Sequence, residues 1–289
     1  MDAAALRVFE AVARLGGIGR AAAALNTVQS NVTARIRQLE EDLGATLFHR
    51  HSRGVALTPA GERLLPYAAK VGSLLAEARR AVVEDGTPSG PLVIGSLETV
   101  AALHLAGRLA EFARLYPAVD LNLRTGTTCE LVEEVLLYRL EGAFVAGPVA
   151  HPDLLSETVF REELVLVTAP HVRSVEAACA LRIVVLRAGC SYRQRLEQVM
   201  AVRGQVTPRM LEFGTLEAIM GSVSAGLGAT LLPRAFVARF AAIYPVAVHT
   251  LSPEEARTET LFIRRRDTTA SAGLGCFLAS VRPVVQAAA

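Results

Sequence analysis

Residues 25–44, LNTVQSNVTARIRQLEEDLG, carry the apolar spacing that most restricts how this chain folds. The large apolar residues follow one another at steps of four, three and four, and they are Val32, Ile36, Leu39 and Leu43. That spacing places them on one face of an α-helix. The first turns outside that face carry short polar side chains, namely Gln29, Ser30, Asn31 and Thr33. The sequence therefore predicts a helix that buries one side and presents small hydrogen-bonding groups on the other.

The segments before this helix predict a helix-turn-helix. Apolar spacing over residues 6–12 indicates a first helix, and the alanine-rich segment 19–25 indicates a short second one that the third can approach closely. Short polar groups at the start of such a third helix reach base edges in a major groove, and Arg37 is placed for a phosphate. The candidate DNA contacts are therefore Gln29, Ser30, Asn31, Thr33 and Arg37. The alternative is an ordinary amphipathic surface helix, which also has a polar outer face.

A basic turn follows the third helix. Residues 50–54 read Arg-His-Ser-Arg-Gly between two short apolar pieces, which is typical of a β-wing. Arg50 and Arg53 are predicted to contact phosphate or the minor groove. Thr58 and Pro59 then predict the N-cap and first position of a long helix.

The helix that begins at Pro59 has the spacing of a coiled-coil seam. Its apolar residues alternate steps of four and three, and four of them are the candidate dimerisation contacts: Leu64, Val71, Leu75 and Val82. Pairing through this helix would hold two DNA-reading helices one duplex turn apart. The alternative is a helix that packs on its own domain, and Pro66 is placed to bend its first turns.

Residues 85–90 are rich in helix breakers and predict a hinge. Beyond the hinge, apolar strand-like runs alternate with helical segments, which predicts parallel sheets covered by helices in two subdomains. The predicted strands are 91–96, 120–125, 142–146, 164–170, 182–189, 209–214, 229–234 and 260–264. The predicted helices are 99–115, 129–140, 192–203, 215–225 and 271–285. The late strand is expected to return to the first subdomain.

Four strand-to-helix junctions form the candidate ligand site. In open α/β sheets, a ligand lies outside the carboxyl ends of the strands, near the N–H groups that begin the helices. The candidate effector contacts at these junctions are Ser96, Glu98, Thr99, Thr127, Thr128, Ser191, Arg193, Phe213 and Thr215. Any single hydroxyl among them has the alternative role of an N-cap. Arg193 suits a carboxylate, whereas Glu98 argues against a purely anion-selective pocket and favours an amino or hydroxyl group.

The sequence contains none of the short motifs that would indicate the common classes of enzyme. GxSxG, GxGxxG, a P-loop and HExxH are all absent, and the single lysine, Lys70, precedes the C-terminal part. We therefore expect no enzyme, no metal and no cofactor. Four dispersed cysteines and the lack of a long uncharged apolar run favour a cytoplasmic protein that spans no membrane. Cys190, at a predicted helix start, has the alternative role of a redox sensor.

The chain resembles the LysR-type transcriptional regulators along nearly its whole length. The matching pieces are AAAALNTVQSNVTARIRQLEEDLGATLFHR, at residues 21–50, and GVALTPAGERL, at residues 54–64. Val28 occupies a position where the family usually has Ser, and Ala34 one where many members carry Arg for contact with DNA. The resemblance therefore implies DNA binding without transferring a base specificity.

The resemblance also implies the architecture, which is an α+β multidomain chain. Residues 1–58 would be a winged helix-turn-helix, 59–86 a linker helix for dimerisation, and 87–289 a periplasmic-binding-protein-like α/β effector domain. Subdomain I would comprise residues 91–161 and 266–289, and subdomain II residues 162–265. The implied function is promoter binding modulated by a small effector, often an organic anion, bound between the subdomains. The implied partners are double-stranded promoter DNA, RNA polymerase and further copies of the chain, as a dimer that assembles into a tetramer.

Overall fold

The computed structural model describes residues 1–51, 54–83, 87–205 and 209–281, which fall into two compact units. The first unit contains residues 1–87 and 136–139, and the second contains residues 88–135 and the chain from residue 140 onward. The first unit is built from α1 (Ala3–Leu15), α2 (Ile18–Ala24), α3 (Gln29–Leu43), β1 (Phe48–His51), β2 (Gly54–Leu57) and α4 (Pro59–Val83). The β1 and β2 strands pair antiparallel, so the helix-turn-helix is followed by a hairpin.

The apolar faces of the first unit meet in one core. Phe9, Val12 and Val32 are fully buried, and the Phe9 ring lies 5.2 Å from the ring of Phe48 in the hairpin. Gly16 ends α1 with a φ of 63°, a left-handed conformation that favours glycine. Burial of these side chains removes apolar surface from water, which is what holds three short helices and a hairpin together.

The second unit alternates strands and helices. Its strands are β3 (Gly90–Ser96), β4 (Val119–Thr125), β5 (Gly142–Ala146), β6 (Leu154–Thr168), β7 (Ile183–Leu186), β8 (Met210–Phe213), β9 (Thr230–Pro233), β10 (Ala247–His249) and β11 (Arg257–Arg265). Its helices are α5 (Glu98–Val100), which continues through a π-helical segment (Ala101–Leu105) into α6 (Ala106–Leu115), then α7 (Thr128–Leu136), α8 (Val175–Cys179), α9 (Ser191–Val202), α10 (Leu216–Ser224), α11 (Arg234–Phe240), α12 (Pro253–Ala256) and α13 (Ala272–Val281). No helix within the described ranges is both long enough and apolar enough to cross a bilayer.

The sheets of the second unit are mixed. The β3 strand pairs in parallel with β4 and β5, and β7 pairs in parallel with β8. The β6 and β11 strands run antiparallel to each other, and β9 and β10 pair antiparallel with the last part of β6. The prediction of parallel sheets is therefore wrong for β6, β9 and β11, and β10 is not among the predicted strands.

The β6 and β11 strands connect two subdomains. The first part of β6, residues 154–158, pairs with the second half of β11, which also pairs with β5. Residues 164–168 of β6 instead pair with β9 and β10. The ladder between β6 and β11 shifts register between Thr260 and Leu261, which is the signature of a bulge. The change from one subdomain to the other therefore falls inside this strand pair, near Thr260, rather than after residue 265.

Candidate functional site

The outer face of α3 carries the side chains that the sequence predicts to contact DNA. Thr33 is half-buried, and the exposed members are Gln29, Ser30, Asn31 and Arg37. A shallow depression on this face is lined by Ser30, Thr33, Ala34, Arg37, Gln38 and Glu41. The buried face of the same helix carries Val32, Ile36 and Leu39 as predicted, whereas Leu43, predicted on that face, is 39% exposed at the end of the helix.

The start of α3 is fixed by its contacts with the preceding turn. The Asn31 Nδ2 atom donates a hydrogen bond to Thr27 Oγ1 at 2.9 Å. The Gln29 amide lies against Gly19 of α2, where an added Cβ would come within 3.0 Å of the Gln29 Nε2 atom. Val28 occupies the N-cap position without a capping side-chain hydrogen bond and is 65% exposed. Gly19 of α2 therefore leaves room for the Gln29 side chain at the start of α3.

The hairpin places one arginine on the same unit. Arg50 is exposed on β1 opposite Val55, whereas Arg53 lies outside the described residues. The Val55 N–H donates to the Gly16 carbonyl at 3.2 Å. A Cβ on Gly54 would lie 2.4 Å from that same oxygen, so the close approach of the hairpin to the end of α1 depends on glycine. The hairpin is thereby held against the helix-turn-helix.

The candidate dimerisation residues of α4 fall into two groups. Leu64 and Val71 pack partly buried against the core of the first unit. Leu75 and Val82 are 47% and 87% exposed. The first half of α4 thus packs on its own unit, as the alternative interpretation holds. The second half presents apolar surface to solvent, which is a common property of protein interfaces.

A cleft with a volume of about 280 Å³ lies between the two subdomains of the second unit. It is situated at the carboxyl ends of strands and the starts of α5, α7, α9 and α10. Five of the nine candidate effector contacts line it: Glu98, Thr99, Thr127, Ser191 and Thr215. The cleft therefore lies at the edge of the sheets where the general rule for ligand sites in open α/β sheets predicts one.

The other four candidates do not line the cleft. Ser96 is fully buried, and its hydroxyl donates to the Leu97 carbonyl at 2.9 Å. The Thr128 hydroxyl accepts a hydrogen bond from the Ser191 hydroxyl, which does line the cleft. Phe213 is half-buried at the end of β8.

Arg193 is the most consequential of these four, because it was the predicted partner of a ligand carboxylate. Its guanidinium pairs instead with Glu197 at 3.1 Å and Glu212 at 2.8 Å. Arg193 lies two positions after Ser191 on α9, which turns it about 200° around the helix axis and away from the cleft. The side chain is already neutralised by two carboxylates, so it carries no role in this cleft.

The candidate effector contacts leave out four polar lining residues: Thr125, Arg187, Cys190 and Tyr192. Arg187 directly follows the last residue of β7, so the rule about carboxyl ends of strands could have found it. Burial raises the pKa of Cys190, and the backbone N–H groups of Tyr192 and Arg193 only partly oppose that effect. A raised pKa disfavours the thiolate that a redox sensor needs, which argues against that alternative for Cys190.

Three polar contacts join the two subdomains across the cleft. They are Ser191 to Thr128 at 2.7 Å, Tyr192 to Thr99 at 3.1 Å, and Arg187 to Glu130 at 3.0 Å. Burial is the main cause that raises the pKa of Tyr192 above its ordinary value, so its hydroxyl remains protonated. The Thr127 N–H is the main cause that lowers the pKa of Glu130, so its carboxylate remains charged. The two walls are therefore connected by groups whose protonation is fixed near neutral pH.

Comparison with known proteins identifies two family domains in the chain. The family model "LysR substrate binding domain" matches residues 85–286, and "Bacterial regulatory helix-turn-helix protein, lysR family" matches residues 3–62. The chain is 47% identical over 285 residues to the HTH-type transcriptional regulator GltR of Bacillus subtilis (strain 168), covering 98% of this chain and 96% of that protein.

Two solved structures share the fold. Full-length OxyR from Pseudomonas aeruginosa matches with a TM-score of 0.72 at 20% identity, covering 97% of this chain and 94% of that one. Full-length CbnR complexed with its target DNA matches with a TM-score of 0.62 at 23% identity, covering 97% and 99%. At these identities, the likeness concerns the fold alone.

Proposed function

This chain belongs to the LysR family of bacterial transcriptional regulators, and we propose from that premise how its effector cleft controls its DNA-binding domain. It is a DNA-binding regulator with an effector-binding domain rather than an enzyme. Effector binding changes the relation between the subdomains, and the change alters the spacing or bend of promoter DNA held by an oligomer. Access of RNA polymerase to the promoter changes as a result.

The observation that carries this proposal is the set of three polar contacts across the cleft. Each contact pairs one residue from either wall, with Arg187, Ser191 and Tyr192 on one side. A ligand that enters between the walls exchanges some of these contacts for its own. Its differential affinity for the two arrangements then shifts their populations. The proposed effector contacts are Glu98, Thr99, Thr127, Ser191 and Thr215, with Arg187 added.

For DNA, the proposed division of labour follows the exposed face of α3. Gln29, Ser30, Asn31 and Thr33 contact base edges, whereas Arg37, Arg50 and Arg53 contact phosphates or the minor groove. The exposure of Gln29, Ser30, Asn31, Arg37 and Arg50 supports this assignment. In domain terms, we propose residues 1–58 for DNA binding, 59–86 for the linker helix and 87–289 for the effector.

The exposed second half of α4 supports a homodimer, and we propose that dimers associate into a tetramer in the cytoplasm. Leu75→Glu would place a charge on that surface, and sedimentation of the full chain should then show smaller assemblies. Lys70→Glu is a matched control, since Lys70 is an exposed polar residue on the same helix. Equal assembly of wild type and Leu75→Glu would exclude α4 as the interface.

Footprinting on the adjacent promoter, with and without candidate effectors, tests the switch. We expect a compound that binds the full-length protein to change the length or position of the protected region. An unchanged footprint together with unchanged DNA affinity, for every compound that binds, would contradict effector control. If the protein binds promoter DNA no more tightly than bulk DNA at moderate salt, the proposal that it recognises an operator is wrong.

A further inference from the structure

The helix starts that face the cleft are occupied by acceptors of the protein itself. At α7, the Glu130 carboxylate accepts the Thr127 N–H at 2.8 Å and the Thr127 hydroxyl at 3.0 Å. At α9, the Cys190 sulfur faces backbone N–H groups of the first turn. Such N–H groups are where a fold of this kind would bind an anion. An anionic effector would therefore have to displace groups that are part of the chain.

Acceptors of the protein also face the N–H groups at the start of α10, and one of these acceptors belongs to the opposite wall of the cleft. The Thr215 hydroxyl accepts the Ala218 N–H at 3.2 Å and caps the helix. The Leu216 N–H faces the Glu98 carboxylate, which belongs to α5 in the other subdomain. Glu98 thus occupies the position that the carboxylate of a ligand would take.

The charges around the cleft also disfavour an anion. Glu98 and Arg187 are the charged lining residues within the described ranges. Arg187 is paired with Glu130, whereas Glu98 has no ion-pair partner within 4 Å among the residues that the structure describes. Glu98, Glu130 and Arg187 together leave one net negative charge. Partial burial raises the pKa of Glu98, although the residue remains exposed. A bound cation would stabilise the Glu98 carboxylate, because it would replace the interactions with water that burial removes.

We propose that the effector carries a protonated amine, which pairs with Glu98, on a short apolar body that lies against Leu97, Leu186 and Leu216. This inference rests on the proposed function, because it takes the cleft as the effector site. An ammonium group has three N–H donors, and the Thr127 and Ser191 hydroxyls on the cleft wall accept those that Glu98 does not. A volume of about 280 Å³ restricts the ligand to a small molecule. The class differs from the organic anion that the family resemblance implies.

The test compares butylammonium with butyrate, which share a carbon skeleton and differ in charge. Thermal unfolding of the full-length protein is followed at equal ionic strength with each compound, for wild type, Glu98→Gln and Glu133→Gln. Glu133 is an exposed carboxylate on α7 that does not line the cleft, so Glu133→Gln removes the same charge elsewhere. We expect butylammonium to stabilise wild type and Glu133→Gln. Its apparent affinity should fall about tenfold in Glu98→Gln, as for one charge-assisted hydrogen bond.

Butyrate should leave wild type unchanged and should gain affinity in Glu98→Gln, where the carboxylate that repels an anion has become a neutral amide. A preference of wild type for butyrate would overturn the proposal, as would equal responses to both compounds, null responses included. Titration with 2-aminobutyrate then distinguishes a simple amine from an amino acid. If 2-aminobutyrate binds wild type more tightly than butylammonium does, and Arg187→Gln abolishes that advantage, the cleft recognises a carboxylate as well. If butylammonium binds through Glu98 and leaves the footprint unchanged, the ligand class holds and the proposed switch fails.

Discussion

The Tyr192 hydroxyl lies 3.1 Å from the Thr99 hydroxyl, and both side chains are buried where the two subdomains meet. Tyr192 belongs to α9 and Thr99 to α5, so one hydrogen bond between largely buried groups connects opposite walls of the cleft. In such surroundings a hydrogen bond is strong, and an unpaired hydroxyl is costly. This pair is therefore a sensitive point for both the stability of the second unit and the closure of its cleft.

Tyr192→Phe should lower the free energy of unfolding by about 1–3 kcal/mol, because the buried Thr99 hydroxyl loses its partner. Urea unfolding of the full chain measures this loss. Tyr244→Phe is the matched control, since the Tyr244 hydroxyl donates to Glu217 at 3.2 Å in an exposed position. We expect a change of less than about 0.5 kcal/mol there. Equal losses for the two variants would show that burial of the Tyr192 bond has no special value.

Two glycines of α4 should respond in opposite directions to the same substitution. A Cβ on Gly61 would lie 2.3 Å from the Leu47 carbonyl oxygen, whereas one on Gly72 would meet nothing within 4 Å. Gly72→Ala should stabilise the helix by roughly 0.5–1 kcal/mol. Gly61→Ala should destabilise the first unit, since backbone must move to relieve the overlap. Thermal unfolding compares them, and a stabilised Gly61→Ala would mean that α4 is not held against Leu47 in solution.

Gln29→Ala should weaken binding to the operator by about 1–3 kcal/mol and blur the sequence preference, if the amide reads a base edge. Gln38→Ala is the control on the same helix, because the Gln38 amide is held by Asp42 at 3.0 Å, two turns further along. Fluorescence anisotropy with operator and scrambled duplexes measures both effects. An equal loss on the two duplexes would place Gln29 among the backbone contacts instead.

Glu255 should make the stability of the second unit depend on pH in the acid range. Hydrogen bonds from Arg203 are the main cause that holds the pKa of Glu255 at about 2, below its usual value of 4.5. A lowered pKa in the folded state means that the carboxylate stabilises the fold above pH 4.5. That stabilisation is lost as the pH falls toward 2.

The matching experiment compares wild type with Glu255→Gln. The difference in unfolding free energy should be on the order of 2–3 kcal/mol near pH 6 and should shrink steadily toward pH 2. Glu254→Gln, at an exposed neighbouring position, should differ from wild type by a small and nearly constant amount. A difference for Glu255→Gln that does not change with pH would contradict the ion pair with Arg203.

Local sequence patterns predicted most elements but not their directions. The β5 strand has its predicted bounds because Gly142–Ala146 is an unbroken buried run. The predicted helix 129–140 ends at Leu136, and Tyr138 has a φ of 56°, which no apolar spacing reveals. The β6 strand begins at Leu154 because nine of its first ten residues pair with β11, a contact distant in sequence. Hydrophobic periodicity predicts where a strand lies but not whether it runs parallel or antiparallel to its neighbour. The antiparallel pairs therefore could not be predicted from it.

The candidate site was predictable in position and less so in detail. Strand ends and helix starts locate the cleft, since they follow from the alternation of elements along the chain. Which side chain turns inward depends on the exact first residue of a helix, and an error of one position is enough to misplace Arg193. The pairing of Arg187 with Glu130 joins residues far apart in sequence, so no local pattern indicates it.

The antiparallel ladder of β6 and β11 runs continuously from one subdomain into the other, apart from the irregularity at Thr260. Two strands paired by backbone hydrogen bonds resist rotation more than a single connecting segment does, because neither strand can rotate without straining its hydrogen bonds to the other. Movement of one half against the other is thereby confined to flexion along a single ribbon. If the cleft opens or closes by bending of this strand pair, its intact backbone hydrogen bonds would return it to the starting geometry each time an effector departs.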